Sequence, residues 1–118
     1  MTLNEYQEKT MTTCMPSSDN FSYMMLNLVG ELGEFAGKVA KAIRKQKVTI
    51  NNDHLESGDI SFAGDLQEMM KEAGDVLWQL SGLCKVMGWS LEDVAALNLR
   101  KLADRKGRGV IDGNGDER

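Results

Sequence analysis

Two long runs of apolar residues at helical spacing constrain the fold of this chain more than any other feature. From Leu66 through Met69, Ala73, Val76, Leu80 and Leu83 to Met87, apolar positions recur at i, i+3, i+4 and i+7. At about 100° per residue this draws a single stripe along one helix. Phe21, Met25, Leu28, Val29, Leu32, Phe35, Val39 and Ile43 draw a second stripe on another. The only proline, Pro16, ends a first helix running from about Leu3 to Cys14, because proline disfavours helix in the residue before it. Ser18 or Asp19 is positioned to cap the second helix, which runs to about Lys45. Residues 46–64 are polar, contain Asn51-Asn52-Asp53 and Gly58-Asp59, and read as a loop. A third helix spans about Asp65 to Met87 and stops at Gly88. Ser90 with Asp93 resembles a capping box for a fourth, to about Lys106, and the glycine-rich residues 107–118 read as an irregular tail.

Two long amphipathic helices and two shorter ones predict an all-α fold with a four-helix-bundle-like core in one domain, residues 1–118. A chain of this length buries roughly two-thirds of its unfolded surface, so its core is modest. A homo-oligomer that completes the core is therefore expected. The net charge of −4 argues against a protein that coats nucleic acid or anionic membranes. The polar segment Met1 to Thr10 lacks the apolar core of a signal peptide, and Cys14 and Cys84 read as reduced thiols, so a cytoplasmic location is expected.

The stripes carry acidic pairs. The second helix contains Gly30-Glu31-Leu32-Gly33-Glu34 and the third Lys71-Glu72-Ala73-Gly74-Asp75, each with two acids three residues apart on one face. Glu31 and Glu72 border their stripes, while Glu34 and Asp75 lie roughly 60° further out. If the stripes pack together, four carboxylates line one groove, and their mutual repulsion calls for a cation. Oxygen-only ligation suits Mg²⁺, and Mn²⁺ is an alternative. Either pair alone is ordinary helix surface; the two together at stripe borders make the metal reading. A di-iron bundle needs ExxH motifs, and the single histidine, His54, stands outside any such motif.

On the fourth helix, Leu91, Val94, Ala95 and Leu102 form the apolar face, Asn98 falls within it, and Lys101 and Arg105 flank it. These polar groups either neutralise carboxylates of neighbouring helices or hold the oxygens of a phosphate-bearing ligand; position alone favours neither. Trp78 and Trp89 either stack on a base or fill a packing contact, and packing is the expectation for both.

Taken in order, these residues resemble the MazG-like, all-α nucleoside triphosphate pyrophosphohydrolases. That family's ExxE and ExxD are matched by Glu31, Glu34, Glu72 and Asp75. Gly74-Asp75-Val76-Leu77-Trp78, Ser90-Leu91-Glu92-Asp93-Val94-Ala95, Asn98-Leu99-Arg100-Lys101-Leu102 with Arg105, and the tail Arg108 to Arg118 resemble the ending of its small, single-domain members. The 37 residues between Glu34 and Glu72 exceed the family's usual spacing, and the extra length is expected in the loop 46–64. The resemblance implies Mg²⁺-dependent hydrolysis of nucleoside or deoxynucleoside triphosphates to monophosphate and pyrophosphate, removing aberrant or surplus nucleotides. It implies Glu31, Glu34, Glu72 and Asp75 as metal ligands, with Glu34 the candidate to orient or deprotonate the attacking water. Asn98, Lys101, Arg105 and Arg108 would hold the sugar and phosphates. A homodimer or dimer of dimers is implied, with sites between helices and often between subunits. The alternatives are a phosphoribosyl-ATP pyrophosphohydrolase and a non-enzymatic helical interaction module.

Overall fold

A computed structural model describes residues 1–51, 53–57 and 62–118. The helices are α1 (Leu3–Met11), α2 (Phe21–Arg44), α3 (Phe62–Val86) and α4 (Leu91–Arg108), with a 3-10 turn at Pro16–Ser18. Each start has a chemical cause. Thr2 and Glu5 form a reciprocal capping box on α1, and Ser90 Oγ accepts from the Asp93 amide at the start of α4. The α2 cap is neither Ser18 nor Asp19 but Asn20, whose Oδ1 accepts from the Tyr23 amide at 2.8 Å. Pro16 occupies the 3-10 turn, which displaces the helix start toward Asn20. The expected loop contains an antiparallel hairpin, β1 (Val48–Asn51) and β2 (His54–Ser57), with Val48 opposite Ser57 and Asn51 opposite His54. Asn52 and the expected Gly58-Asp59 turn lie outside the described residues.

α2 and α3 pack antiparallel along their stripes: Met24 meets Gly82, Asn27 bonds Gln79, and Ala42 packs on Met69. At one end Ala42, Val48 and Met69 are buried, with Phe35, Val39 and Leu55 against them, so the hairpin closes that end. At the other end Met24, Gln79, Ser81 and Cys84 are fully buried. Trp78 is a packing residue: its Nε1 donates to Thr10 O and Thr13 Oγ1 and ties α3 to the end of α1. Gln7 of α1 clamps the next turn, donating to Ser81 O and Trp89 O and accepting from the Leu91 amide at 3.0 Å. Those bonds explain why α4 packs principally on α1.

The chain is loosely gathered for its length. Its radius of gyration is 17.7 Å, whereas a compact domain of this size has about 13.5 Å. Leu26 and Val29 on α2, Met70 on α3, and Leu97 and Leu99 on α4 are all more than half exposed. Met25 and Leu32 of the α2 stripe are exposed too, so the stripes are wider than the α2–α3 contact uses. Among the described residues no helix is long and apolar enough to cross a membrane.

Candidate active site

The antiparallel register of α2 and α3 brings the acidic pairs face to face. Glu31, Glu72 and Asp75 each offer a carboxylate oxygen, and these oxygens lie within 4.8 Å of one another. Glu31 and Glu72 are half-buried and Asp75 is exposed. Glu34 stands outside this triad, exposed at the mouth of an adjoining groove of about 290 Å³ with Gly37, Lys38, Lys41 and Glu72. The stripe-border positions of Glu31 and Glu72 thus bury them, while Glu34, one step further round, stays wet.

Two oxygens in this cluster, Glu31 Oε2 and Glu72 Oε2, are buried without a hydrogen-bond partner. Burial, and then the charges of Glu34, Asp75 and Glu72, push the Glu31 carboxyl above its ordinary range, while the amide of Asn27 pulls the other way. Asn27 Nδ2 donates to Glu31 Oε1 at 3.2 Å and to Gln79 Oε1 at 2.9 Å. Gln79, 1 % exposed, is itself held by donation to Met24 O. The chain therefore fixes one oxygen of Glu31 and leaves the other unmatched. Unpartnered buried carboxylate oxygens beside like charges fit a hard divalent cation, and the all-oxygen donor set fits Mg²⁺ or Mn²⁺.

Cations missed by the sequence reading adjoin the acids. Lys38 Nζ lies 3.6 Å from Glu72 Oε1. Lys38, Lys41, Lys45 and Lys47 line a groove of about 160 Å³ between α2 and Met69. The signal was present: Lys38, Lys41 and Lys45 follow Glu31 and Glu34 at steps of three and four, which keeps all five on one helix face.

The α4 residues lie elsewhere. Asn98 and Lys101 line a groove of about 760 Å³ with Trp89, Asp93, Val94, Leu97 and Arg100, apart from the acidic cluster. Arg105 is buried and bonds Asp116 of the tail, and Lys101 joins the same carboxylate at 3.3 Å. Arg108 pairs with Asp104 on its own helix. These cations balance acids of α4 and the tail, not those of neighbouring helices. Among the described residues, Asn98 and Lys101 line one groove while Glu34 and Glu72 line another.

Acidic residues gathered between two antiparallel helices, with lysines beside them, form the candidate site of an all-α chain. The family model for the MazG nucleotide pyrophosphohydrolase domain matches residues 19–109, and the chain belongs to that family. It is 39 % identical over 102 residues to the Gene 37 protein of Mycobacterium phage L5, covering 86 % of this chain and 80 % of that one. It is 38 % identical over 77 residues to the uncharacterized protein YvdC of Bacillus subtilis (strain 168), covering 65 % and 71 % respectively. No solved structure matches.

Proposed function

We propose that the chain hydrolyses nucleoside or deoxynucleoside triphosphates to monophosphate and pyrophosphate, using Mg²⁺, with Mn²⁺ as a substitute. The observation that carries this reading is the pair of buried, unpartnered oxygens on Glu31 and Glu72 within a cluster of three carboxylates. Glu31, Glu72 and Asp75 hold the cation, and Asn27 keeps Glu31 turned toward it. The cation, when bound, neutralises phosphate charge and polarises water. Glu34, exposed at the mouth and outside the triad, orients the attacking water and accepts its proton. Lys38 and Lys41, one turn along the same face, meet phosphate oxygens.

Asn98, Lys101 and Arg108 meet the nucleotide from α4, and buried Arg105 supports them from behind. Because one chain holds these groups and the acids in different grooves, the reading requires a homodimer, or a dimer of dimers, in which α4 of one copy faces the α2–α3 cleft of another. The exposed apolar residues of α2 and α4 supply the surface for that contact. A panel of nucleotides with Mg²⁺, read by phosphorus NMR, tests the reaction. Monophosphate and pyrophosphate in equal amounts are expected. Diphosphate with phosphate, or no product from any nucleotide, rejects it.

A further inference from the structure

Arg105 is 4 % exposed, so its guanidinium is not offered to a ligand. Its Nη2 donates instead to Asp116 O at 3.1 Å and to Asp116 Oδ1 at 2.9 Å. Lys101 Nζ donates to the same Oδ1 at 3.3 Å. Although two cations hold it, the Asp116 side chain is 82 % exposed, and its Oδ2 has no partner among the described residues. A carboxylate presented this way is an unused acceptor.

The tail that delivers Asp116 is built, not loose. Gly109 and Gly115 take left-handed backbone conformations, with φ of 71° and 76°, which side-chain-bearing residues resist. Arg118 folds back, donating from Nε to Val110 O at 3.2 Å and from Nη1 to Gly115 O. A Cβ on Gly113 would stand 2.6 Å from Arg118 Cδ, so Arg118 packs directly over that glycine. These contacts hold Asp116 beside Lys101 and Arg105. Lys101 also lines the large α4 groove, whose wall includes Trp89, Val94 and Leu97. An apolar groove suits a base, a lysine suits phosphate, and a carboxylate repels phosphate but accepts from neutral donors.

We propose that Asp116 contacts the substrate, accepting a hydrogen bond from a donor on its nucleoside, a sugar hydroxyl or a base amine, and that Arg105 is the buried anchor that holds it there. This rests on the pyrophosphohydrolase reading, and it reassigns Arg105 from ligand contact to positioning residue. The test is steady-state kinetics of the wild type, Asp116→Ala and Asp116→Asn with Mg²⁺. Substrates are a deoxynucleoside triphosphate, its 3′-deoxy analogue, and an analogue lacking the exocyclic amine. Loss of a charge-assisted bond used equally before and during reaction raises KM about tenfold in Asp116→Ala and leaves kcat nearly unchanged. The loss disappears for whichever analogue lacks the donor, which distinguishes sugar from base, and Asp116→Asn restores part of it. An unchanged KM, a lowered KM (a tail that blocks the site), or an equal rise for all three substrates overturns the proposal. Unaltered melting temperature and Mg²⁺-induced stabilisation in the variants separate these outcomes from misfolding. Absence of hydrolysis in the wild type rejects the underlying reading instead.

Discussion

Glu31 owes its chemistry to what holds it. Asn27 donates to one oxygen and is itself oriented by buried Gln79, so the other oxygen stays unmatched. Outer-shell partners of metal ligands are commonly worth 10–100-fold in affinity. Asn27→Ala is therefore expected to weaken Mg²⁺ binding about tenfold by calorimetry, with no residue of the acidic cluster changed. Glu72→Gln should behave differently. On the proposed reading it removes a hard-ion ligand and one like charge, so Mg²⁺ binding should fall sharply while the metal-free protein melts at an equal or higher temperature.

The same electrostatics fix a pH dependence. The folded Glu31 carboxyl titrates above its ordinary value of 4.5, chiefly through burial and then through Glu34 and Asp75. In that window the folded state binds more protons than the unfolded state, so stability falls as pH rises. The loss begins near the unfolded value and is complete above the folded one. Denaturant titrations of metal-free protein through this range should show the decline, and saturating Mg²⁺ should abolish it, since the ion replaces the proton as the compensating charge.

Among the elements, α2 and α3 pair because their stripes match, and Met24 packs directly over Gly82 in the seam. Met24 is wholly buried against Gly82, where a Cβ would overlap the Met24 Sδ and Cε. Met24 Sδ also accepts from Gln79 Nε2 at 3.2 Å. Gly82→Ala gains helix propensity of about 1 kcal/mol but overpacks the seam. A net destabilisation of about 1–2 kcal/mol is expected from urea unfolding, with weaker Mg²⁺ binding because Gln79 and Asn27 shift together.

The two stripes, the acidic pairs and the capping of α4 by Ser90 were legible in the sequence because each is a local pattern of period three or four. The hairpin was not. Its strands are four residues each, their pairing joins positions up to nine apart, and Val48 and Leu55 alone do not make a period-two signal. Ser18, Asp19 and Asn20 are all good caps by residue type, and the 3-10 turn at Pro16–Ser18 leaves Asn20 in the capping position. The lysine face keeps the same spacing, with Lys38, Lys41 and Lys45 three and four residues apart. The bonding of Arg105 to Asp116 depends on a reversal of the chain at Gly109, which no helical spacing encodes.

At the scale of the whole molecule, the open shape and exposed apolar faces of α2 and α4 predict association. Sedimentation should give a multiple of 13.1 kDa. Leu26→Glu with Val29→Glu places charge on the most exposed large apolar residues of α2 and should yield a monomer. Lost area of this kind is worth several kcal/mol of association. The monomer is expected to retain the Glu31–Glu72–Asp75 cluster but to lose turnover.

On the proposed reading, acids from one copy and α4 groups from another make each site. Mixing refolded Glu72→Gln with Lys101→Ala protein tests it most directly. Each variant alone is expected to hydrolyse nucleoside triphosphates far more slowly than the wild type. In mixed dimers, one site carries both defects and the other carries neither, so random pairing should restore about a quarter of the wild-type rate. Pyrophosphate release no faster in the mixture than in either variant would mean that each site is built within a single copy, and would contradict the account.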